Sequence, residues 1–125
     1  MKSHKELDVW KDSVELVIDT YNLTKVFPKE ELFGITNQMR RAVVSIPTNI
    51  SEGSGRNYSS EFIRFLKISQ GSLSEFETLL LISLRLNYLD EVSFKSIERR
   101  IFKLNAQLSG LIKSIHKGIQ HNGAV

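Results

Sequence analysis

Apolar residues return at every third or fourth position along nearly the whole chain, a spacing that predicts helices rather than strands. In the first stretch Leu7, Trp10, Val14, Val17, Tyr21 and Thr24 form the inner stripe. It ends at Phe27-Pro28, because the residue before a proline is pushed out of the helical region. A second stretch runs from about Glu31 to Glu52, with Ile35, Met39, Ala42, Val43, Ile46 and Ile50 on one side. The third starts near Ser59 or Ser60, both N-cap types, with Glu61 close behind to meet the positive helix end. Its inner positions are Phe62, Leu66, Ser69, Leu73, Phe76, Leu80 and Ser83. The fourth has Ser93 as its expected cap and sets Phe94, Ile97, Ile101, Leu104, Leu108, Leu111 and Ile115 at alternating steps of three and four, an a/d seam. No segment alternates with period two for long enough to build a sheet. The expected elements span about 6–27, 31–52, 60–88 and 93–120 of a single domain, 1–125. The fold class they imply is all-α, an antiparallel up-down four-helix bundle.

The third helix carries more apolar side chains than one seam uses. Phe65, Leu79, Leu81, Ile82, Leu84 and Leu86 lie beside or outside the inner set. Either this helix is the central, most buried one, or its second face packs on another subunit, since a monomer seldom exposes a broad apolar patch.

The second helix is polar where a bundle helix is usually plain. Pro47 has no amide proton for the Val43 carbonyl and its ring crowds that turn, so a kink is expected. At about 100° per residue, Gln38, Arg41, Ser45, Thr48, Asn49 and Glu52 gather on one half-buried flank. Such groups must bond to each other or to a partner. One reading is a structural network in which Glu52 and Arg41 tie the helix to a neighbouring helix or subunit; another is a ligand or nucleic-acid contact. The following Gly53-Ser54-Gly55-Arg56 reads as a glycine helix exit and a basic turn. It is not a P-loop, because the lysine, the spacing and the preceding strand are missing.

Charge is sorted by helix. Between Glu6 and Phe27 the acids are Glu6, Asp8, Asp12, Glu15 and Asp19, against Lys11 and Lys25. Between Ser93 and Gln120 the bases are Lys95, Arg99, Arg100, Lys103, Lys113 and Lys117, against Glu98 alone. All of these bases except Arg100 fall in one wedge opposite the apolar seam. Solvated faces normally mix signs. The basic face pairs with the acidic first helix of a neighbour, meets nucleic-acid phosphates, or is a plain solvated face. Aromatics are not interleaved among these bases, so backbone or shape recognition is expected rather than stacking on single-stranded bases.

The remaining composition mainly excludes. With 125 residues and no cysteine, the chain has the size of one domain and has neither disulfides nor thiolate chemistry. No apolar run reaches membrane-spanning length, and the start, Met1-Lys2-Ser3-His4-Lys5-Glu6, lacks the apolar stretch of a signal peptide. His4, His116 and His121 lie near the termini, the last two five residues apart, a poor spacing for presenting a metal from one helix face. No histidine follows Glu75 or Glu77 at the third position, so a di-iron motif is absent. No catalytic residue, metal ligand or cofactor site is expected.

Several segments together resemble a known family: Leu7-Asp8-Val9-Trp10-Lys11, Phe27-Pro28, Glu31-Leu32-Phe33-Gly34, Gln38-Met39-Arg40-Arg41-Ala42, Ser45 to Gly53 with its mid-helix proline, and Gly71-Ser72. They are similar, from about His4 to Leu111, to the four-helix-bundle proteins encoded in 23S rRNA intervening sequences. The family pattern falls on Trp10, Phe33, Gly34, Gln38, Arg40, Arg41, Ser45, Asn49, Glu52, Gly53 and Arg56, with Ser51 where alanine is common. The resemblance implies a bacterial cytoplasmic protein, a ring-shaped homopentamer, and kinship with the accessory protein of diversity-generating retroelements. Those accessory relatives bind nucleic acid and a reverse transcriptase through a basic surface. On this reading Gly34 and Gly71 let helices approach closely and Gly53 ends the second helix.

The function expected is a non-catalytic homo-oligomeric scaffold that binds structured RNA or DNA. Arg99, Lys103, Lys113 and Lys117 would supply the phosphate contacts, with Arg40, Arg41 and Arg56 as a second candidate patch. Gln38, Arg41, Ser45, Asn49 and Glu52 are the candidate structural or interface network. The alternative is a protein–protein adaptor that docks an acidic partner and uses the basic helix in subunit contacts.

Overall fold

The computed structural model describes residues 3–122, with side chains described to 119; the extreme termini of the expected 1–125 domain, and the side chain of His121, lie outside that range. Four long helices carry the chain: α1 (Asp8–Thr24), α2 (Ile35–Ser54), α3 (Ser59–Arg85) and α4 (Glu91–Asn122), with 3-10 turns at His4–Glu6 and Lys29–Glu31. The fold is all-α, with no strand among the described residues. Each helix packs on its neighbours in the chain, and α4 also packs on α1.

The seams of α2, α3 and α4 lie where the apolar spacing puts them. Met39, Val43, Ile46 and Ile50 meet Leu66, Phe76, Leu80, Leu104 and Leu108 in a core where each is essentially without solvent contact. α1 differs. Its buried positions are Val9, Ser13, Leu16, Thr20 and Thr24; of the expected stripe only Thr24 is buried, while Leu7, Trp10, Val14 and Val17 are half-buried and Tyr21 is exposed. The buried hydroxyls bond within their own helix: Ser13 Oγ donates to the Trp10 carbonyl at 2.8 Å and Thr20 Oγ1 to the Leu16 carbonyl at 2.7 Å. A small hydroxyl satisfied in this way fits a helix contact that a larger side chain would prop open.

Helix ends depart from expectation for local reasons. α2 starts at Ile35, not near Glu31, because Glu31 belongs to a 3-10 turn and Gly34 is the cap residue with φ −113° and ψ −118°. The Glu31 carboxylate accepts the Tyr88 hydroxyl at 2.8 Å and the Ile35 amide at 3.4 Å, and so joins the α1–α2 connection to the α3–α4 connection. A Cβ on Gly34 would lie 2.5 Å from that carboxylate. α3 is preceded by Tyr58 without a side-chain cap, so Ser59 and Ser60 are its first residues rather than its caps. It ends in a Schellman turn: Tyr88 N donates to the Ser83 carbonyl, Asn87 N to the Leu84 carbonyl, and Asn87 takes φ 63°.

α4 is capped by Asp90, not Ser93. The Asp90 carboxylate accepts the Ser93 amide at 2.7 Å, and that amide holds the carboxyl below its ordinary value. A depressed acid stabilises the fold above its unfolded value and loses that contribution as pH falls through the folded one, here below about pH 4. The Glu61 carboxyl, held low by its hydrogen bond from Arg64, acts in the same direction. Asp90→Asn, which caps equally well, is therefore expected to leave thermal stability at neutral pH unchanged and to flatten its decline in acid. Melting curves across that pH range check this.

Gly53 and Gly71 depart from the roles that the sequence suggests for them. Gly53 does not end α2; the helix continues to Ser54 with Gly55 as cap residue. A Cβ on Gly53 would lie 2.6 Å from Phe65 Cβ and 3.1 Å from Phe62 Cδ1, so its role is the close approach of α2 to α3. Gly71 faces open space, with nothing within 4 Å of a Cβ built there. α2 also runs through Pro47 as one helix. Just ahead of the proline, three successive carbonyls take side-chain donors: Val44 from Thr48 Oγ1 (3.0 Å), Ser45 from Asn49 Nδ2 (2.8 Å) and Ile46 from Ser69 Oγ (2.9 Å).

Candidate functional site

The outer face of α4 is basic in three dimensions as it is on a helical wheel. Lys95, Arg99, Lys103, Lys113 and Lys117 are all exposed. Part of the charge is answered inside the molecule. Arg100 Nη1 donates to Asp19 Oδ2 at 2.6 Å, and Lys103 Nζ lies 3.4 Å from Asp12 Oδ2, which also accepts Gln107 Nε2 at 3.0 Å. The acidic partner of the basic helix is thus α1 of the same chain, at least for these two bases. These are exposed pairs and hold little energy, about 0–1 kcal/mol each. Lys95, Arg99, Lys113 and Lys117 have no acid within ion-pair distance among the described residues, so Lys103 is the one engaged member of the candidate phosphate-binding set.

Phe102 stands on the same helix, 69% exposed. An aromatic ring does border the basic face, contrary to the expectation from sequence. It lines a dent of about 140 Å³ between α3 and α4, with Leu73, Ser74, Glu77, Ile101 and Asn105.

The second candidate patch is not brought together. Arg40 turns toward α1: its Nε donates to Thr24 Oγ1 at 2.9 Å, its Nη2 reaches the Tyr21 carbonyl at 3.5 Å, and its guanidinium lies 4.7 Å from the Tyr21 ring centroid. A cation there meets the negative end of α1. Arg56 lies sixteen residues on, about 24 Å along a helix. It pairs with Glu52 at 2.6 Å and stacks on Phe65 at 5.1 Å, and Arg64 sits 4.5 Å from the same ring. Arg41 is exposed and has no hydrogen-bond or ion-pair partner among the described residues.

Of the expected polar network, Ser45 and Asn49 form a real one. Ser45 Oγ shares a hydrogen bond with Ser72 Oγ at 2.8 Å and accepts one from Asn49 Nδ2 at 2.9 Å, which links α2 to α3. Gln38 and Arg41 line an open groove of about 420 Å³ beside it, with Asn37, Ala42, Ser45, Ser72 and Glu75. Glu52 belongs elsewhere: its partner is Arg56 one turn on, so among the described residues neither it nor Arg41 ties α2 to another helix of the same chain.

Two further groups of apolar side chains are exposed. Leu81 and Ile82 lie outward on α3 and Leu86 outward at its C-terminal cap, whereas Phe65 and Leu79 are buried in the chain's own core. At the end of the bundle where Tyr88 meets Glu31, Val26, Leu32, Val92 and Phe33, the last 92% exposed, face solvent. Among the described residues no helix is long and apolar enough to cross a membrane.

Comparison with known proteins bears on the family and the fold. A family model described as 23S rRNA-intervening sequence protein matches residues 5–110. Among curated proteins there is no match. Among solved structures, the chain is similar to the crystal structure of a protein with unknown function from the S23 ribosomal protein family of Bacteroides thetaiotaomicron VPI-5482. The two share 27% identity at a TM-score of 0.78, over 84% of this chain and 98% of that one.

Proposed function

The chain belongs to the 23S rRNA-intervening sequence protein family, and from that premise we propose that it is a non-catalytic homo-oligomeric scaffold whose α4 face binds structured RNA or DNA. The observation that carries this reading is the exposed strip Lys95, Arg99, Lys113 and Lys117, for which α1 supplies no acid. Such a strip concentrates phosphates by charge and by release of their counterions. In this reading the helices run alternately up and down. In support, contacts between α2 and α3 run in opposite order, Met39 to Ser83 and Ile46 to Ser69. Copies close into a ring, the homopentamer that the family resemblance implies, through the outward Leu81 and Ile82 of α3, Leu86 at its cap and the apolar end around Phe33. A bacterial cytoplasmic location belongs to the same reading.

The second reading is the adaptor, and one observation favours it: α4 already grips acids, Asp19 and Asp12 of α1. A protein partner with an acidic helix, a reverse transcriptase by family analogy, would then use the rest of the face. Titration of the native protein into labelled structured RNA and duplex DNA at several salt concentrations separates the two. Phosphate binding gives a log–log salt slope of about −0.9 per duplex phosphate neutralised. No binding at low salt by a correctly assembled oligomer overturns the nucleic-acid reading and leaves the adaptor.

A further inference from the structure

Phe102 is the residue the basic face does not explain. A phenyl ring in water has no role in phosphate binding, and the α4 core seam of Ile97, Ile101, Leu104 and Leu108 is complete without it. Its surroundings have a definite chemistry. The dent beside it is floored by the buried Leu73 and Ile101 and rimmed by Ser74, Glu77 and Asn105. Asn105 Oδ1 accepts Gln70 Nε2 at 3.3 Å, which leaves its amide nitrogen available. Glu77 is exposed and has no hydrogen-bond or ion-pair partner among the described residues. At about 140 Å³, the space is well below the roughly 300–1,000 Å³ of ordinary ligand clefts. It suits one flat ring system laid on an aromatic wall, with hydrogen-bond donors turned toward a carboxylate.

We propose that this dent takes one unpaired nucleobase, stacked on Phe102 with its donor edge on Glu77, while Arg99 one turn away holds a flanking phosphate. The proposal rests on the nucleic-acid reading and sharpens it: the α4 face takes an unpaired loop or end, where a base is free to leave the stack. Base–aromatic stacking tolerates any base, because every base has a π-face. Discrimination therefore falls to Glu77. Its carboxylate only accepts, so it favours guanine, whose N1–H and N2–H lie side by side. Uracil offers a single N–H between two carbonyl oxygens that the carboxylate repels.

The test uses fluorescence anisotropy with the native oligomer and two single-stranded RNAs, an oligouridine and the same strand carrying one central guanosine. Phe102→Ala is expected to weaken binding of the guanosine strand about tenfold, and Phe102→Trp to restore it. Glu77→Gln is expected to shrink the preference for the guanosine strand without reducing oligouridine affinity. Lys113→Glu with Lys117→Glu reports the phosphate contribution separately. If that double variant weakens both strands while Phe102→Ala and Glu77→Gln change neither, the base site is overturned and the phosphate-binding reading stands. If the wild-type protein binds neither strand nor structured RNA, both fall. A shift in native mass on Phe102→Ala with RNA affinity unchanged overturns the proposal and gives Phe102 to a subunit contact.

Discussion

Replacing Gly53 with valine is expected to cost the fold about 3 kcal/mol or more, the upper range for forcing extra atoms into a packed contact. A Cβ at this position already falls 2.6 Å from Phe65 Cβ and 3.3 Å from the Phe62 carbonyl oxygen. Neither is the far end of a flexible side chain, so relief requires α2 and α3 to move apart. That motion would strain the Ser45–Ser72 and Ser69–Ile46 hydrogen bonds. Gly53→Ala keeps the clash and recovers about 1 kcal/mol of helix propensity, so its cost is smaller. Gly71→Ala is the control with the opposite sign: its Cβ meets nothing within 4 Å, and the propensity gain of about 1 kcal/mol appears as stabilisation. Urea denaturation of the three variants reads all of this. Equal effects at Gly53 and Gly71 would show that the close approach of α2 to α3 is not what Gly53 provides.

Reversing Arg99, Lys113 and Lys117 together to glutamate is expected to weaken nucleic-acid binding about a hundredfold or more at moderate salt. The log–log salt slope should flatten by about 2, at roughly 0.7 per lost single-strand contact. The three side chains are exposed and without an acid partner among the described residues, so stability should stay within about 0.5 kcal/mol of wild type. Arg40→Gln is the complement. It removes the contacts to Thr24 and Tyr21, lowers stability and leaves the salt slope alone. An unchanged slope in the triple variant would remove α4 from the binding surface.

These two predictions draw on residues of very different legibility. The α4 seam could be read directly, because large apolar side chains at steps of three and four have no other use in a polar helix. The basic strip could be read for the same reason, as a departure from mixed charge. The inner face of α1 could not. Its buried positions include Ser13 and Thr20, whose hydroxyls are satisfied by their own helix, so hydropathy points one flank away toward Trp10 and Val14 and meets the buried face only at Thr24. Gly53 was ambiguous in principle, because a glycine near a helix end serves a cap or a close contact equally well, and only the position of Phe65 decides. Arg40 and Arg41 are chemically identical neighbours; about 100° of helix rotation turns one to Tyr21 and the other to the groove. Phe102 is not legible as part of the face, because it sits among the bases in the chain but at the edge of their wedge, next to α3.

The contacts between α1 and α4 have a consequence for how the molecule comes apart. Asp12 and Gln107 are separated by 95 positions in the chain, whereas α2 and α3 are joined by a connection of only a few residues, Gly55 to Tyr58. The α2–α3 hairpin closes a short loop and can assemble early; the α1–α4 seam closes nearly the whole chain and comes late. Its polar contacts, Asp19 with Arg100 and Asp12 with Lys103 and Gln107, therefore act on the rate of opening rather than the rate of folding. In amide hydrogen exchange α2 and α3 should hold their protons longest, and the basic helix should be the element that lifts away first.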